Sequence, residues 1–118
     1  MTIQATIYHN PRCSKSRHTL QILEDKGITV SEVRYLDNPP SKETLKQLCE
    51  MMNVKPFEII RTGEALFKEL GFTKKDQRSD DEWLTILADN PKLIERPIVQ
   101  MGDRAIMGRP PENVLELL

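Results

Sequence analysis

The chain reads as an α/β domain built on one mixed sheet, and three observations predict it. A strand-turn-helix-strand unit opens the chain, a strand-strand-helix unit closes it, and the stretch between them is dominated by helix periodicity. The opening β-α-β unit calls for parallel strands with a right-handed crossover. The closing β-β-α unit holds a two-residue turn that only antiparallel neighbours can use. Both kinds of pair in one sheet, with helices outside, make a mixed sheet. With 118 residues and 38% hydrophobic content there is material for one domain and one core. Aromatics are few, so Leu, Ile, Val and Met must fill it.

Ile3, Ala5 and Ile7 alternate with polar or amphipathic neighbours, the period of a strand. Asn10-Pro11 marks a turn. A helix-period segment with Leu20, Ile22 and Leu23 follows and stops at Gly27, which suits the position past a helix end. Residues 28–36 are rich in β-branched side chains and predict the second strand. Asp37-Asn38-Pro39-Pro40 breaks it. Ser41 then caps a helix with Leu45, Leu48, Cys49 and Met52 on one face. Pro56 starts a short turn through Phe57, Ile59 and Ile60. Thr62 is the expected cap of a segment with Leu66, Phe67 and Leu70, ended by Gly71. Ser79-Asp80-Asp81-Glu82 has the pattern of a capping box ahead of Trp83, Leu84, Ile86 and Leu87. Asn90-Pro91 closes that helix. The charged run from Lys74 to Glu82 mixes both signs, as a solvated surface does. Residues 97–101 and 104–107 flank Gly102-Asp103, a hairpin signal. Gly108-Arg109-Pro110-Pro111 leads into a last helix with Val114, Leu115, Leu117 and Leu118. No repeat, low-complexity tract or linker interrupts this order, so 1–118 is expected to be a single domain with a helical insertion at about 41–95.

The net charge of −1 gives no general reason to expect nucleic acid or an anionic membrane as a partner. No apolar run approaches the length of a membrane span. No basic segment followed by an apolar one precedes the first strand, so no secretory signal is read. A reducing cytoplasm is the expected location, with Cys13 and Cys49 unpaired.

The stretch His9-Asn10-Pro11-Arg12-Cys13-Ser14-Lys15-Ser16-Arg17 lies where the first strand hands over to the first helix. Cys13 is therefore expected at the helix's N-terminal end. Free N–H groups and the positive end of the helix dipole there favour the thiolate, the reactive form. Lys15, Arg17 and His9 are candidate cationic neighbours. The polar and charged flanks argue against a packing cysteine. Zinc would need paired ligand spacing, and Cys13, Cys49, His9 and His18 have none, so no metal is expected. Cys49, in an apolar stripe, reads as a packing residue. By spacing alone, Arg61, Arg96 and Arg109 are three arginines near element boundaries.

A β-α-β unit with a cysteine at the first helix start, then a β-β-α unit entered through a proline, resembles the thioredoxin/glutaredoxin-like fold, with the central helices as an insertion. Within that fold, His9-Asn10-Pro11-Arg12-Cys13 resembles the signature of the glutaredoxin-dependent arsenate reductases, the ArsC-like family. Tyr35-Leu36-Asp37-Asn38-Pro39-Pro40, Arg61 after Ile59-Ile60, Arg96-Pro97-Ile98-Val99 and Gly108-Arg109-Pro110 match the family's other landmarks in order and spacing, over essentially the whole chain.

The resemblance implies roles. Cys13 is the nucleophile. Arg61, Arg96 and Arg109 surround the oxyanion, whose tetrahedral oxygens suit guanidinium forks. Pro97 carries a cis peptide bond, and His9 and Ser16 tune the cysteine. The implied reaction converts arsenate to arsenite through a covalent Cys13 adduct, with glutathione as co-substrate, glutaredoxin as reductant, no tightly bound cofactor, and a monomer as the working unit. Ser16 stands where a C-x-x-C protein has its second cysteine, so an external thiol must resolve the adduct. Ser14-Lys15 replaces the Gly-Thr pair of the plasmid-type enzymes and the chain lacks their longer tail, which resembles a chromosomal branch. The phosphatase-like arsenate reductases need C-x5-R, and that position is Thr19 here. Two alternatives remain open: a general glutathione-linked thiol oxidoreductase, and a non-enzymatic transcription regulator resembling the Spx proteins, many of which carry the C-x-x-C switch absent here.

Overall fold

The computed structural model describes residues 3–118. They form two compact units, one holding the chain up to Asn38 together with Arg96–Leu118, the other Pro39–Glu95.

The first unit contains β1 (Gln4–His9), α1 (Ser14–Asp25), β2 (Thr29–Arg34), β3 (Ile98–Met101), β4 (Arg104–Met107) and a 3-10 helix, Pro111–Leu117. The four strands make one sheet in the order β2-β1-β3-β4. β1 runs parallel to β2 and antiparallel to β3, and β3 pairs antiparallel with β4. The mixed sheet that the order of elements demands is thus formed. Alternation on β1 sends Ala5 and Ile7 to the face covered by α1. There Ile7, Leu23, Val99 and Val114 are fully buried, joined by Ile28 and Leu117. Each such side chain contributes about 1.5–3 kcal/mol by leaving water. α1 stops where the sequence says: Gly27 takes φ +76°, and the Ile28 N–H reaches back to the Leu23 carbonyl at 3.1 Å. Gly102 turns the β3–β4 hairpin at φ +62°.

Register decides what shares an end of the sheet. Tyr8 lies opposite both Val33 and Ile98, and Ile98 lies opposite Met107. The chain leaving β1, the chain entering β3 and the chain leaving β4 therefore emerge together. That end carries Cys13, the Arg96-Pro97 pair and the Gly108-Arg109 pair.

In this unit the end of β2 and the type of the last helix differ from the sequence reading. β2 ends at Arg34, because the Asp37 and Asn38 N–H groups both turn back to the Arg34 carbonyl at 2.9 and 2.8 Å. The last helix is 3-10 rather than α. Pro110 and Pro111 bring no N–H donor, and the Asn113 N–H closes on the Pro110 carbonyl three residues back, at 3.0 Å.

The second unit contains α2 (Lys42–Met52), a 3-10 turn (Pro56–Ile59), α3 (Ala65–Glu69), α4 (Asp80–Asp89) and a 3-10 turn (Pro91–Leu93). Ser41 Oγ accepts the Thr44 N–H, and Ser79 and Glu82 cap α4 reciprocally. Leu45, Leu48, Cys49, Phe67, Trp83, Leu84 and Leu87 are buried. Trp83 packs against Phe57 and Phe72 with ring centroids 5.1 and 5.7 Å apart. α3 starts at Ala65 with Glu64 as its N-cap, later than a Thr62 cap predicts. The Arg61 N–H bonds the Leu93 carbonyl at 2.7 Å and Ile60 bridges Ile94, so this backbone is held extended when a helix could otherwise begin. No described helix is long and apolar enough to cross a membrane.

Candidate active site

Cys13 is the N-cap of α1, half-buried, in extended backbone (φ −93°, ψ 121°). Its side chain makes no capping hydrogen bond, so no cysteine contact competes for the N–H groups of the first turn. The loop before it is braced from several sides. The Cys13 N–H donates to the Asn10 carbonyl at 2.9 Å, and the Arg12 N–H donates to Asn10 Oδ1 at 3.0 Å, an Asx turn. Arg17 reaches back from α1 and donates through Nη1 to the Pro11 carbonyl at 2.9 Å. The Asn10 N–H donates to Ser16 Oγ at 3.1 Å, and Ser16 Oγ lies 2.6 Å from His9 Nδ1. The thiol is thus presented in a fixed place at the positive end of a helix, where an anion is favoured.

One electrostatic expectation is corrected here. His9 is 3% exposed, and burial pushes its pKa below the ordinary imidazole value. Glu32 opposes that shift, while Arg34 and Arg17 reinforce it. Neutral His9 adds no charge near neutral pH; the exposed Arg12, Lys15 and Arg17 supply the cations of this segment.

At the same end of the sheet, the Arg96–Pro97 and Arg109–Pro110 peptide bonds are both cis. The Gly108 N–H donates to the Pro97 carbonyl at 2.8 Å. A Cβ on Gly108 would lie 2.8 Å from Thr19 Oγ1 and 2.9 Å from Pro97 Cγ. Helix α1, Pro97 and Gly108 therefore meet with no space for a methyl group. Arg109 Nη1 donates to the Arg96 carbonyl at 3.3 Å. Arg96 Nε is buried and has no hydrogen-bond acceptor among the described residues. A buried guanidinium N–H in that condition is destabilising until an anion accepts from it.

Arg61 belongs to the second unit and is engaged there. Its Nη1 pairs with Glu64 Oε2 at 2.8 Å and its Nε lies 3.7 Å from Glu95 Oε1, while Lys92 also reaches Glu64 at 3.5 Å. Cys49 is 3% exposed, and burial, with Asp80, Glu58 and Glu50 nearby, pushes its thiol up to about 11. Both cysteines are free. Among the described residues no group of three or more His, Cys, Asp or Glu could hold a metal ion.

The structure thus gathers Cys13, His9 and Ser16 into one hydrogen-bonded loop, and Arg96, Pro97 and Arg109 into a second cluster at the same end of the first unit. Sequence reasoning did not assign roles to Asn10, Thr19, Glu32 or Gly108. Asn10-Pro11 was a legible turn signal, but the contacts of the other three arise only from tertiary packing.

A family model described as the ArsC family matches residues 8–117. A protein of Escherichia coli K12, the uncharacterized YfgD, is 44% identical over 119 residues, which cover 100% of this chain and 99% of that one. An arsenate reductase of Neisseria meningitidis serogroup B is 42% identical over 113 residues, 95% of this chain and 96% of the relative. The solved structure of an arsenate reductase from Vibrio cholerae superposes with a TM-score of 0.94 at 45% identity, covering 100% of both chains.

Proposed function

The chain belongs to the ArsC family, with its thioredoxin-like fold, and on that premise we propose that it reduces arsenate to arsenite through a covalent Cys13 adduct. The observation that carries the proposal is Cys13 itself, held by a braced loop at the uncapped start of α1. Relatives called arsenate reductase, matched nearly end to end, support arsenate as the substrate.

In the proposed reaction, the Cys13 thiolate attacks arsenic(V), an S–As bond forms, and one arsenate oxygen leaves as water after taking up protons. The N–H groups of the first turn of α1 and the guanidinium groups of Arg96 and Arg109 offset the charge on the remaining oxygens. The unsatisfied Arg96 Nε supports that role. Arg61 enters through the family resemblance. Cys13 has no second cysteine at Ser16, so the second thiol comes from outside, and glutathione is the proposed co-substrate. Its thiolate attacks Cys13 Sγ, the S–As bond breaks with its electron pair going to arsenic, and arsenite leaves. The mixed disulfide on Cys13 is then returned to the thiol by exchange with glutaredoxin. The two free cysteines support a reducing compartment, the cytoplasm, as the place of work.

The test is an assay with purified protein, arsenate, glutathione, glutaredoxin, glutathione reductase and NADPH. NADPH oxidation should require arsenate and each thiol component. Glutathione-linked reduction of a model disulfide with no response to arsenate would instead make the protein a general thiol oxidoreductase.

A further inference from the structure

Ser16 is fully buried, and its hydroxyl has two partners among the described residues, the Asn10 N–H and His9 Nδ1. The Asn10 N–H can only donate. If Nδ1 also carried a proton, the hydroxyl would accept twice and its own proton would be buried with nothing to bind. The consistent arrangement has Ser16 O–H donating to Nδ1, which leaves the proton of the neutral imidazole on Nε2. Nε2 lies 3.8 Å from Glu32 Oε1. Glu32 is registered opposite Ile7 on β1, so it stands on the same face of the sheet as His9 two residues further on.

We propose that Glu32 is a positioning residue of the reactive loop: it holds His9 in the Nε2–H tautomer, and His9 through Ser16 and Asn10 holds the segment that presents Cys13. Glu32 acts on His9 electrostatically across 3.8 Å, and hydrogen bonds carry on from His9 Nδ1 to Ser16 Oγ, to the Asn10 N–H, and from the Asn10 carbonyl to the Cys13 N–H. It has an acid limit. Protonating His9 puts a proton on Nδ1, which must then donate to Ser16, and the hydroxyl proton loses its acceptor. The charged groups facing His9 are Glu32 and Arg34 from β2 and Arg17 from α1; the two arginines and burial resist protonation, and Glu32 favours it. The bearing on catalysis rests on reading Cys13 as the nucleophile, whereas the tautomer itself does not.

Long-range proton–nitrogen NMR on the full chain with labelled histidine reads the tautomer and the titration of His9, with exposed His18 as an internal reference. Alkylation of Cys13 by iodoacetamide is followed against pH in parallel. Near pH 7.5 the wild type should favour Nε2–H by at least about tenfold. Glu32→Gln keeps an acceptor and should keep the tautomer, while the His9 midpoint falls with the lost charge. Glu32→Ala should lower the tautomer ratio several-fold, lower the midpoint and change the alkylation rate of Cys13. An Nδ1–H ring in the wild type overturns the proposal. So does a Glu32→Ala protein whose tautomer, or whose Cys13 alkylation rate, matches the wild type. If His9 behaves as stated and arsenate turnover is absent, the proposed function fails and this inference stands. If turnover is present and His9 ignores Glu32, the reverse holds.

Discussion

Cys13 and Cys49 carry the same thiol on two helices that treat it in opposite ways. Cys13 comes just before α1, half-buried, with uncapped N–H groups beside it and Arg12, Lys15 and Arg17 nearby. Cys49 is the eighth residue of α2, turned into an apolar stripe with Leu45 and Leu48, and the charges that act on its thiol, Asp80, Glu58 and Glu50, are acidic. A helix start offers a thiolate donors and positive potential; a helix interior facing a core offers neither. The difference teaches that position along a helix sets whether a cysteine meets free donors and positive potential or apolar packing.

The largest expected effect breaks that contrast outright. Cys13→Ser should remove arsenate-dependent turnover by at least ~1000-fold, the scale on which loss of a nucleophile acts, while Cys49→Ala keeps most of it in the coupled assay. Comparable losses from both would make Cys49 the resolving thiol and end the monothiol mechanism. Next come the arginines. Arg96→Ala and Arg109→Ala should each cost ~1.5–3 kcal/mol in arsenate binding or turnover, roughly ten- to hundred-fold. Arg→Lys should recover only part, because an ammonium lacks the two-pronged contact. Arg61→Ala, measured beside them, asks whether an arginine already paired with Glu64 and Glu95 also serves the oxyanion; unchanged arsenate kinetics would leave it an ion-pair residue of the second unit.

Smaller effects sharpen the comparison. Gly108→Ala forces a methyl against Thr19 and Pro97 and should destabilise by about 1–3 kcal/mol in denaturant unfolding. The alkaline limb of stability has a contribution from Cys49. Its folded pKa is raised from 9.0 to about 11, so the folded state favours the thiol, and the stabilisation is complete below pH 9. It is lost as pH rises from 9 to about 11, by at most about 3 kcal/mol. Unfolding curves of wild type and Cys49→Ala should therefore converge across that window, and parallel curves would refute it. Last, Asn53 ends α2 at φ +56°. Asn53→Ala should cost about 1 kcal/mol there, and Asn53→Gly should cost none.

Much of this was legible in the sequence because local chemistry governs it. Ser41 and the Ser79–Glu82 box fixed helix starts, Gly27 fixed an end, and Gly102-Asp103 fixed the hairpin. Where a tertiary bond overrides local preference the reading slipped: Thr62 is a good cap, but the bonds of Ile60 and Arg61 to the segment 93–94 hold the chain extended just before it, residues 62–63 turn, and the helix starts only at Ala65. At the site, Cys13 stood out from its flanks alone. Charge on His9 did not survive, because a strand position gives no sign in sequence of how deeply its ring is buried. The crowding at Gly108 joins residues 89 positions apart, from α1 to the end of β4, and no pattern of spacing encodes it.

β2 forms one outer margin of the sheet. The free side of such a strand can recruit a strand from another molecule, and charged side chains are a common defence. Exposed Glu32 and Arg34 stand on that margin. Glu32 therefore sits where a charge discourages edge pairing as well as beside His9. A neutral apolar residue there would remove the edge charge and the carboxylate beside His9 at once, so one side chain ties the edge of the sheet to the reactive loop.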